Sequence, residues 1–415
     1  RNDLVSRMCP LFRNSMEENA TPRAKANLLR GILEGELELE TLTQEKAKEI
    51  ADYCVQCGMC RIECPAEVDV SNLAFRCKSA YVAAHGLSLE DRFFSQLDTI
   101  LRFLAMVSCP VNWSTSNPMM RWLMEKLLQI PQSRTIPKLA KVTFLARTQW
   151  SSWLVKPPQH VEPVSTNRVA LFVDTFANHF DTKLADLAIR ILEHNHCSVY
   201  VPSRQRPSGL TSFSVGHFDR AERLARHNSL LLADLIRQGY HIVTLEPASA
   251  SCLSQDYRTI LDDMDIALVS SQVVDFCDFL LQRYREGQLR LDFVPNSKIT
   301  GKTVGYHAPC RSITRTTRRT NAPTPAEELL RLIPELEVRR IEQGCCGMAG
   351  VYGFKRKNYR RSLRIGVALL RELRQLEIDF GVSDCNACCL QMEHGSRKKT
   401  FHPIRLLAAA YGLDS

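Results

Sequence analysis

The sequence predicts an α+β multidomain protein: a helical N-terminal domain built around a cysteine run, followed by two α/β modules. Three observations predict it. At roughly 150 residues per domain, 415 residues make about three domains, and a 45% hydrophobic content supplies their cores. Four cysteines fall between positions 54 and 64, inside a stretch with helical patterning on both sides. Beyond residue 166, short β-branched runs alternate with helical segments, and this alternation occurs twice.

Residues 1–90 read as the helical domain, with 23–33 as its clearest helix. Residues 91–165 read as an amphipathic helical linker. In it Phe93, Leu97, Ile100, Leu101 and Leu104 recur at helical spacing, as do Met120, Leu123, Leu127 and Leu128. Pro110, Pro118, Pro131 and Pro137 divide the stretch into several short helices, and 156–166 is rich in Pro and Ser. Residues 166–299 form the first α/β module, with strands over 169–173, 198–201 and 242–245 and helices over 182–193 and 220–237. Residues 300–415 repeat it. Val169-Ala-Leu-Phe-Val-Asp-Thr175 aligns with Val304-Gly-Tyr-His-Ala-Pro-Cys310, and Gln205-Arg-Pro-Ser-Gly209 with Gln343-Gly-Cys-Cys-Gly347. The segment starting at Glu246 falls opposite the one starting at Ser383, with a register open by about two residues.

This composition excludes disorder and collagen-like repeats, and no apolar run reaches the roughly 18–20 residues of a membrane span. No signal peptide opens the chain, so a cytoplasmic protein is expected. The net charge of +9, from 54 basic against 45 acidic residues, is spread along the chain. It suits an anionic membrane surface or an acidic partner and alone decides neither. No nucleic-acid partner is expected.

Sixteen cysteines demand a use in a reduced compartment. In Cys54-x2-Cys57-x2-Cys60-x3-Cys64-Pro65, four thiols within eleven residues wrap the backbone around one compact electron-rich object. This is the spacing of the bacterial ferredoxin-type [4Fe-4S] run, in which the fourth cysteine ligates the other cluster of a pair. Structural zinc usually draws two Cys pairs from separated segments instead. Cys54, Cys57 and Cys60 then need a fourth ligand, and Cys9, followed by Pro10, is the candidate; a buried apolar thiol is its alternative. One cubane is thus complete in this chain, and Cys64 serves a second whose other ligands are expected just before Arg1.

A second constellation lies in the last module. Cys310 is followed after 34 residues by Cys345-Cys346-Gly347, and after another 38 by Cys385-x2-Cys388 with Cys389 adjacent. Thiols converging from three loops at strand ends imply a metal or cluster site. His307, His394 and His402 are further ligand or proton-shuttle candidates, each with a purely structural alternative. The spacing of Gly347, Gly350 and Gly353 is no dinucleotide fingerprint. At the matching positions the first module has Thr175, Pro207, Ser208 and a stretch with Ala248, Ser249 and Ser251, leaving only Cys252, so it is expected to be a scaffold or docking surface. Cys77, Cys109, Cys197 and Cys277 are assigned to packing. Arg311, Arg315, Arg318 and Arg319 form a basic stretch that suits an anionic partner or a solvated loop. The segment 113–130 is read as packing between domains, with a membrane surface as the alternative.

Over essentially its whole length the chain resembles iron-sulfur proteins that serve flavin dehydrogenases and reductases: a ferredoxin-type segment followed by two cysteine-rich "CCG" modules. Among them are the C subunit of anaerobic glycerol-3-phosphate dehydrogenase, the iron-sulfur subunit of glycolate oxidase and the B-type subunit of heterodisulfide reductase. Arg7-Met-Cys-Pro10, Thr21-Pro-Arg-Ala-Lys-Ala-Asn-Leu-Leu-Arg30, Gly344-Cys-Cys-Gly-Met-Ala-Gly350 and Gln391-Met-Glu-His-Gly395 resemble the C-terminal half of FAD-linked oxidases of the D-lactate or D-2-hydroxyglutarate dehydrogenase type. The resemblance implies a non-cubane [4Fe-4S] cluster on Cys310, Cys345, Cys346, Cys385 and Cys388. It also implies FAD on an upstream domain or partner subunit.

The function expected is an oxidoreductase component that relays electrons from a flavin, which has oxidised a 2-hydroxy acid or glycerol 3-phosphate, to a quinone or other acceptor. Peripheral association with the cytoplasmic face of the membrane accompanies that expectation. Two alternatives stay open: disulfide reductase-type catalysis at the C-terminal module, and a zinc-bearing assembly platform.

Overall fold

The computed structural model of the chain describes residues 9–15, 17–148, 167–316 and 322–414. The Pro/Ser-rich segment 156–166, Arg318 and Arg319 lie outside them.

The N-terminal half is helical, and its helices begin where the sequence supplies caps. Thr21 accepts a hydrogen bond from the Ala24 amide and Pro22 occupies the first position of helix Pro22–Leu33. Asp69 caps Val70–His85 in the same way, and Gly86, in the left-handed region, ends it. Buried Ala51, Ala74 and Cys77 hold these helices together, with Leu28 and Leu29 packed against them. The linker region is a series of short helices, Leu89–Ser95, Leu97–Ala105, Ser108–Ser116, Pro118–Leu128 and Phe144–Thr148. Pro110 falls in the first turn of its helix, where an amide has no intrahelical partner to lose, and Pro118 opens the next. Pro131 and Pro137 lie between helices. Cys109, expected in a core, is exposed, because this helix buries Ser108 and turns the neighbouring position outward.

The second half contains two parallel four-stranded sheets. In the first, β1 (Arg168–Phe172), β2 (Ser198–Tyr200), β3 (His241–Thr244) and β4 (Val273–Asp275) run in the order β2-β1-β3-β4. In the second, β5 (Thr303–Tyr306), β6 (Glu337–Arg340), β7 (Phe380–Val382) and β8 (Thr400–Phe401) run β6-β5-β7-β8. The topologies are identical, as the internal repeat requires. Pairing also closes the open register. Leu171 faces Val243 and Tyr306 faces Val382, so Glu246 corresponds to Cys385 and Ser249 to Cys388, two residues from the alignment drawn on sequence.

Parallel sheets need both faces covered, and here the modules cover one another by pseudo-twofold exchange. Helix Thr182–His194, after β1, packs on Pro403–Ala410, after β8, while Phe276–Arg285, after β4, packs on Pro325–Arg331, after β5. One apolar core containing Leu184, Leu280, Leu330 and Leu407 runs through both; each such leucine stabilises the fold by about 2 kcal/mol relative to exposure. The basic stretch is not a solvated loop at its described positions. Arg311 pairs with Asp256 at 3.1 Å, and Arg315 donates to the Ser254 hydroxyl and the Val273 carbonyl, tying the second module to the first.

Candidate metal centres

Cys9, Cys54, Cys57 and Cys60 line one small cavity between the first helices, with Lys25, Tyr53 and Gly58. Gly58, with φ +74°, caps the short helix Met59–Glu63 and lets the chain turn so that Cys57 and Cys60 reach the same space. Cys64 follows that helix and is not among the lining residues. Burial raises the Cys54 thiol, raises Cys57 well above the usual range, with Cys310 as the next cause, and pushes Cys60 up to about 12. Thiols crowded this way become thiolates only against a strong positive charge, which iron supplies. Two buried lysines add to it. Lys25, 2% exposed, donates to the Asn19 and Thr21 carbonyls, and Lys78, 4% exposed, donates to the Cys54 and Ser214 carbonyls. The set fits a compact anionic cluster.

A second cavity, of about 100 Å³, is lined by Cys57, His307, Cys310, Cys345, Cys346, Cys385 and Cys388. Three loops at the carboxyl ends of the strands deliver them: Cys310 after β5, Cys345 and Cys346 after β6, Cys385 at the N-cap of helix Asn386–Ser396 after β7. Backbone packing fixes the Cys-Cys turn. Gly347 has φ +87° and a Cβ there would lie 2.1 Å from the Ser362 carbonyl oxygen, while one on Gly366 would lie 2.3 Å from that of Cys346. The Gly347 and Met348 amides donate to the Cys345 and Cys346 sulfurs at 3.3 and 3.4 Å. Cys346 and Cys388 Sγ are 3.2 Å apart, and with a His307 nitrogen their donor atoms all lie within 4.8 Å of one another. Neighbouring thiols of Cys345 and Cys388 hold Cys346 well below the usual thiol range. His307 Nε2 is buried without a hydrogen-bond partner among the described residues. Six thiols and a buried imidazole nitrogen around one space fit a metal group.

Other candidates are used elsewhere. Cys389 donates to the Ser383 carbonyl. His394 sits between the Thr135 and Tyr359 hydroxyls, and His402 Nε2 lies 3.1 Å from the Asp384 carbonyl. Cys77, Cys197 and Cys277 are buried, as expected of packing residues.

In the first module the corresponding place is filled by hydrogen bonds. One Asp174 carboxylate oxygen accepts from the Thr175 and Ser208 amides, the other from the Ser249 hydroxyl at 2.6 Å. Cys252 donates to the Ser208 carbonyl. Glu246, the counterpart of Cys385, reaches into the other module and accepts from the Asn386 side-chain amide at 2.6 Å. Burial pushes its carboxyl up to about 7.

Sequence reasoning missed Lys25, Lys78, Asp174 and Glu246, because a single charged residue carries no periodic signal. Arg134 was missed too: it donates to Gln391 and Ser362, stacks over Tyr359 at 4.6 Å, and so holds the helix of Cys388 against the linker.

Two family models match the chain: a 4Fe-4S dicluster domain over residues 6–69 and a cysteine-rich domain over 304–393. The chain is 28% identical to the C subunit of anaerobic glycerol-3-phosphate dehydrogenase of Escherichia coli K12, over 83% of each protein. It is 21% identical to D-2-hydroxyglutarate dehydrogenase of Haemophilus influenzae, over 87% of this chain and 35% of that one. It is 24% identical to lactate utilization protein A of Bacillus thuringiensis, over 45% of this chain and 75% of that one. The chain is thus similar to a dehydrogenase subunit over most of the length of both, and spans about a third of the longer relative. Among the described residues no helix is long and apolar enough to cross a membrane.

Proposed function

We propose that this chain is the electron-relay part of a flavin-dependent dehydrogenase of a 2-hydroxy acid or of glycerol 3-phosphate, passing electrons from FAD on an upstream domain or partner subunit to a quinone or other acceptor. The observation that carries the reading is Cys57. It lines both the ferredoxin-type cavity and the cavity of the last module, so the two thiol sets share a wall. Carriers held there would be neighbours rather than separate sites. Iron-sulfur clusters, when bound, supply one-electron carriers, and their potentials depend on charge, hydrogen bonds to sulfur and exposure.

The chain's own residues hold and tune. Cys9, Cys54, Cys57 and Cys60 would ligate one cubane, with Cys64 serving a second. Cys310, Cys345, Cys346, Cys385 and Cys388 would hold the non-cubane group, with His307 beside it. Lys25 and Lys78 offset anionic charge at the first site, and the Gly347 and Met348 amides do so at the second.

The test is iron and acid-labile sulfide per chain, with EPR, on anaerobically prepared protein beside Cys345→Ser/Cys346→Ser. About eight irons falling to about four is expected, from two four-iron groups of which one is lost. About four in both would remove the last module from the path, and zinc in place of iron would remove the relay. Disulfide reduction at the last module, the alternative, is separated by dithionite-reduced protein: consumption of a disulfide abolished by Cys345→Ser would favour it.

A further inference from the structure

A cleft of about 310 Å³ runs between the linker helices and the first module, and the cysteine sites make no use of most of it. Its size is at the lower end of small-molecule sites. Its two ends differ in chemistry. Leu97, Leu101, Leu104, Val111 and Leu139 wall one end; at the other are Thr175, Ser208, Ser249 and Glu246, and next to them Cys385. Among the described residues no Lys, Arg or His lines it. An anionic hydroxy acid or a phosphate ester would find no counter-charge here, only carboxylates.

The same linker helices present a second apolar surface outward. Phe103, Met106, Val107, Trp113, Met119 and Trp122 are exposed on Leu97–Ala105, Ser108–Ser116, Pro118–Leu128 and the turn at 106–107, opposite the faces that wall the cleft. Tryptophans within an exposed apolar face suit a lipid interface, where one edge is dry and the other wet. Leu101, Ala105 and Leu139 close the inner side of these helices into a core, so the outer residues are not left over from an unfilled interior.

We propose that this cleft binds a lipid-phase quinone, with the ring at the Thr175–Ser249–Glu246 end and the apolar tail along the linker helices. A neutral flat ring with paired carbonyl oxygens meets these conditions: no charge to compensate, apolar walls for ring and tail, and polar groups at one end only, where the Thr175 and Ser249 hydroxyls are given to Asp174. Cys385 lines this cleft as well as the last cysteine site, so the bound ring would abut that site. The assignment gives the electron-relay reading a definite acceptor, and it rests on that reading for its meaning though not for its test.

The test is equilibrium dialysis of the full chain with a decyl-substituted benzoquinone and with 2-methyl-1,4-naphthoquinone, with iron measured on the same samples. Saturable binding near one per chain is expected, weakened at least tenfold by Val111→Phe, which fills the apolar end. Thr115→Phe, one turn further along the same helix and also lining the cleft, repeats the block should the first variant fold poorly. Val142→Phe, on the exposed surface away from the cleft, should bind as the unaltered chain does. No saturable binding, or equal binding by both blocked variants, overturns the assignment. Iron at the full level without quinone binding sinks the cleft and leaves the relay standing, whereas cleft-dependent binding to protein that holds no iron supports the cleft and sinks the relay.

Discussion

The two α/β modules share strand order, register and a pair of left-handed glycines, Gly209 and Gly347, at φ +86° and +87°, yet they fill the same place in opposite ways. One ties its loops together there through the Asp174 carboxylate and the hydroxyl and amide groups around it; the other lines a cavity there with thiols. The strands and helices are retained because the modules bury one core between them. The loops are free to diverge, since they contribute little to that core. A duplicated scaffold can therefore keep its stability while only one copy keeps a thiol-lined cavity.

The sharpest way to break this contrast is to remove thiols from one side and their counterparts from the other. Cys345→Ser/Cys346→Ser should lose about half the iron, about four of eight, while Ser208→Ala, at the position matching Cys346, should lose none. Equal iron in both variants would mean that the cysteine pattern marks no site. The glycines give the next largest difference. A Cβ at Gly347 would meet the Ser362 carbonyl at 2.1 Å, whereas one at Gly209 would meet only the flexible end of Leu224 at 3.3 Å. Gly209→Ala should cost about 1–2 kcal/mol from left-handed strain alone, and Gly347→Ala more than about 3 kcal/mol because backbone must move as well. Urea denaturation of each variant reads both, and equal costs would mean the two turns are packed alike.

Asp174 sharpens the other half of the contrast. Asp174→Ala strands the Ser208 amide and the Ser249 hydroxyl, and should lower unfolding stability by about 2–3 kcal/mol with iron unchanged. A variant as stable as the unaltered chain would show that water replaces the carboxylate freely, and that Asp174 does not hold the first module's loops together.

Much of this was legible in the sequence. The three strands and two helices of the first module lie within two residues of their expected places, because period-2 β-branched runs and long amphipathic segments are strong signals. The ferredoxin-type run declared its own chemistry, since four thiols at such spacing have few other uses. Two things were hidden. The register of the third loop depended on strand pairing, which joins residues more than seventy positions apart. The aligned Gln205 and Gln343 also proved misleading: Gln205 is buried and bonds to the Val173 backbone, while Gln343 is exposed. Identity between repeats did not carry identity of role.

Glu246 is where the modules meet, and it offers the smallest and most specific test. It occupies the position of Cys385, and its carboxyl, pushed up to about 7 by burial, starts from an ordinary value of 4.5. Because the folded value is the higher one, the protonated form favours folding. As pH rises from about 4.5 the unfolded chain releases this proton first, and stability falls until the folded group ionises near 7. The full shift would be worth about 3 kcal/mol, and since the side chain opens on the cleft about 2 kcal/mol is expected. Glu246→Gln keeps an acceptor for Asn386 and removes the titration. It should match the unaltered chain at pH 4 and exceed its stability by about 2 kcal/mol at pH 8. Parallel stability curves across that range would mean that Glu246 is hydrated at the junction, and that the counterpart of a cavity-lining cysteine had become an ordinary surface carboxylate.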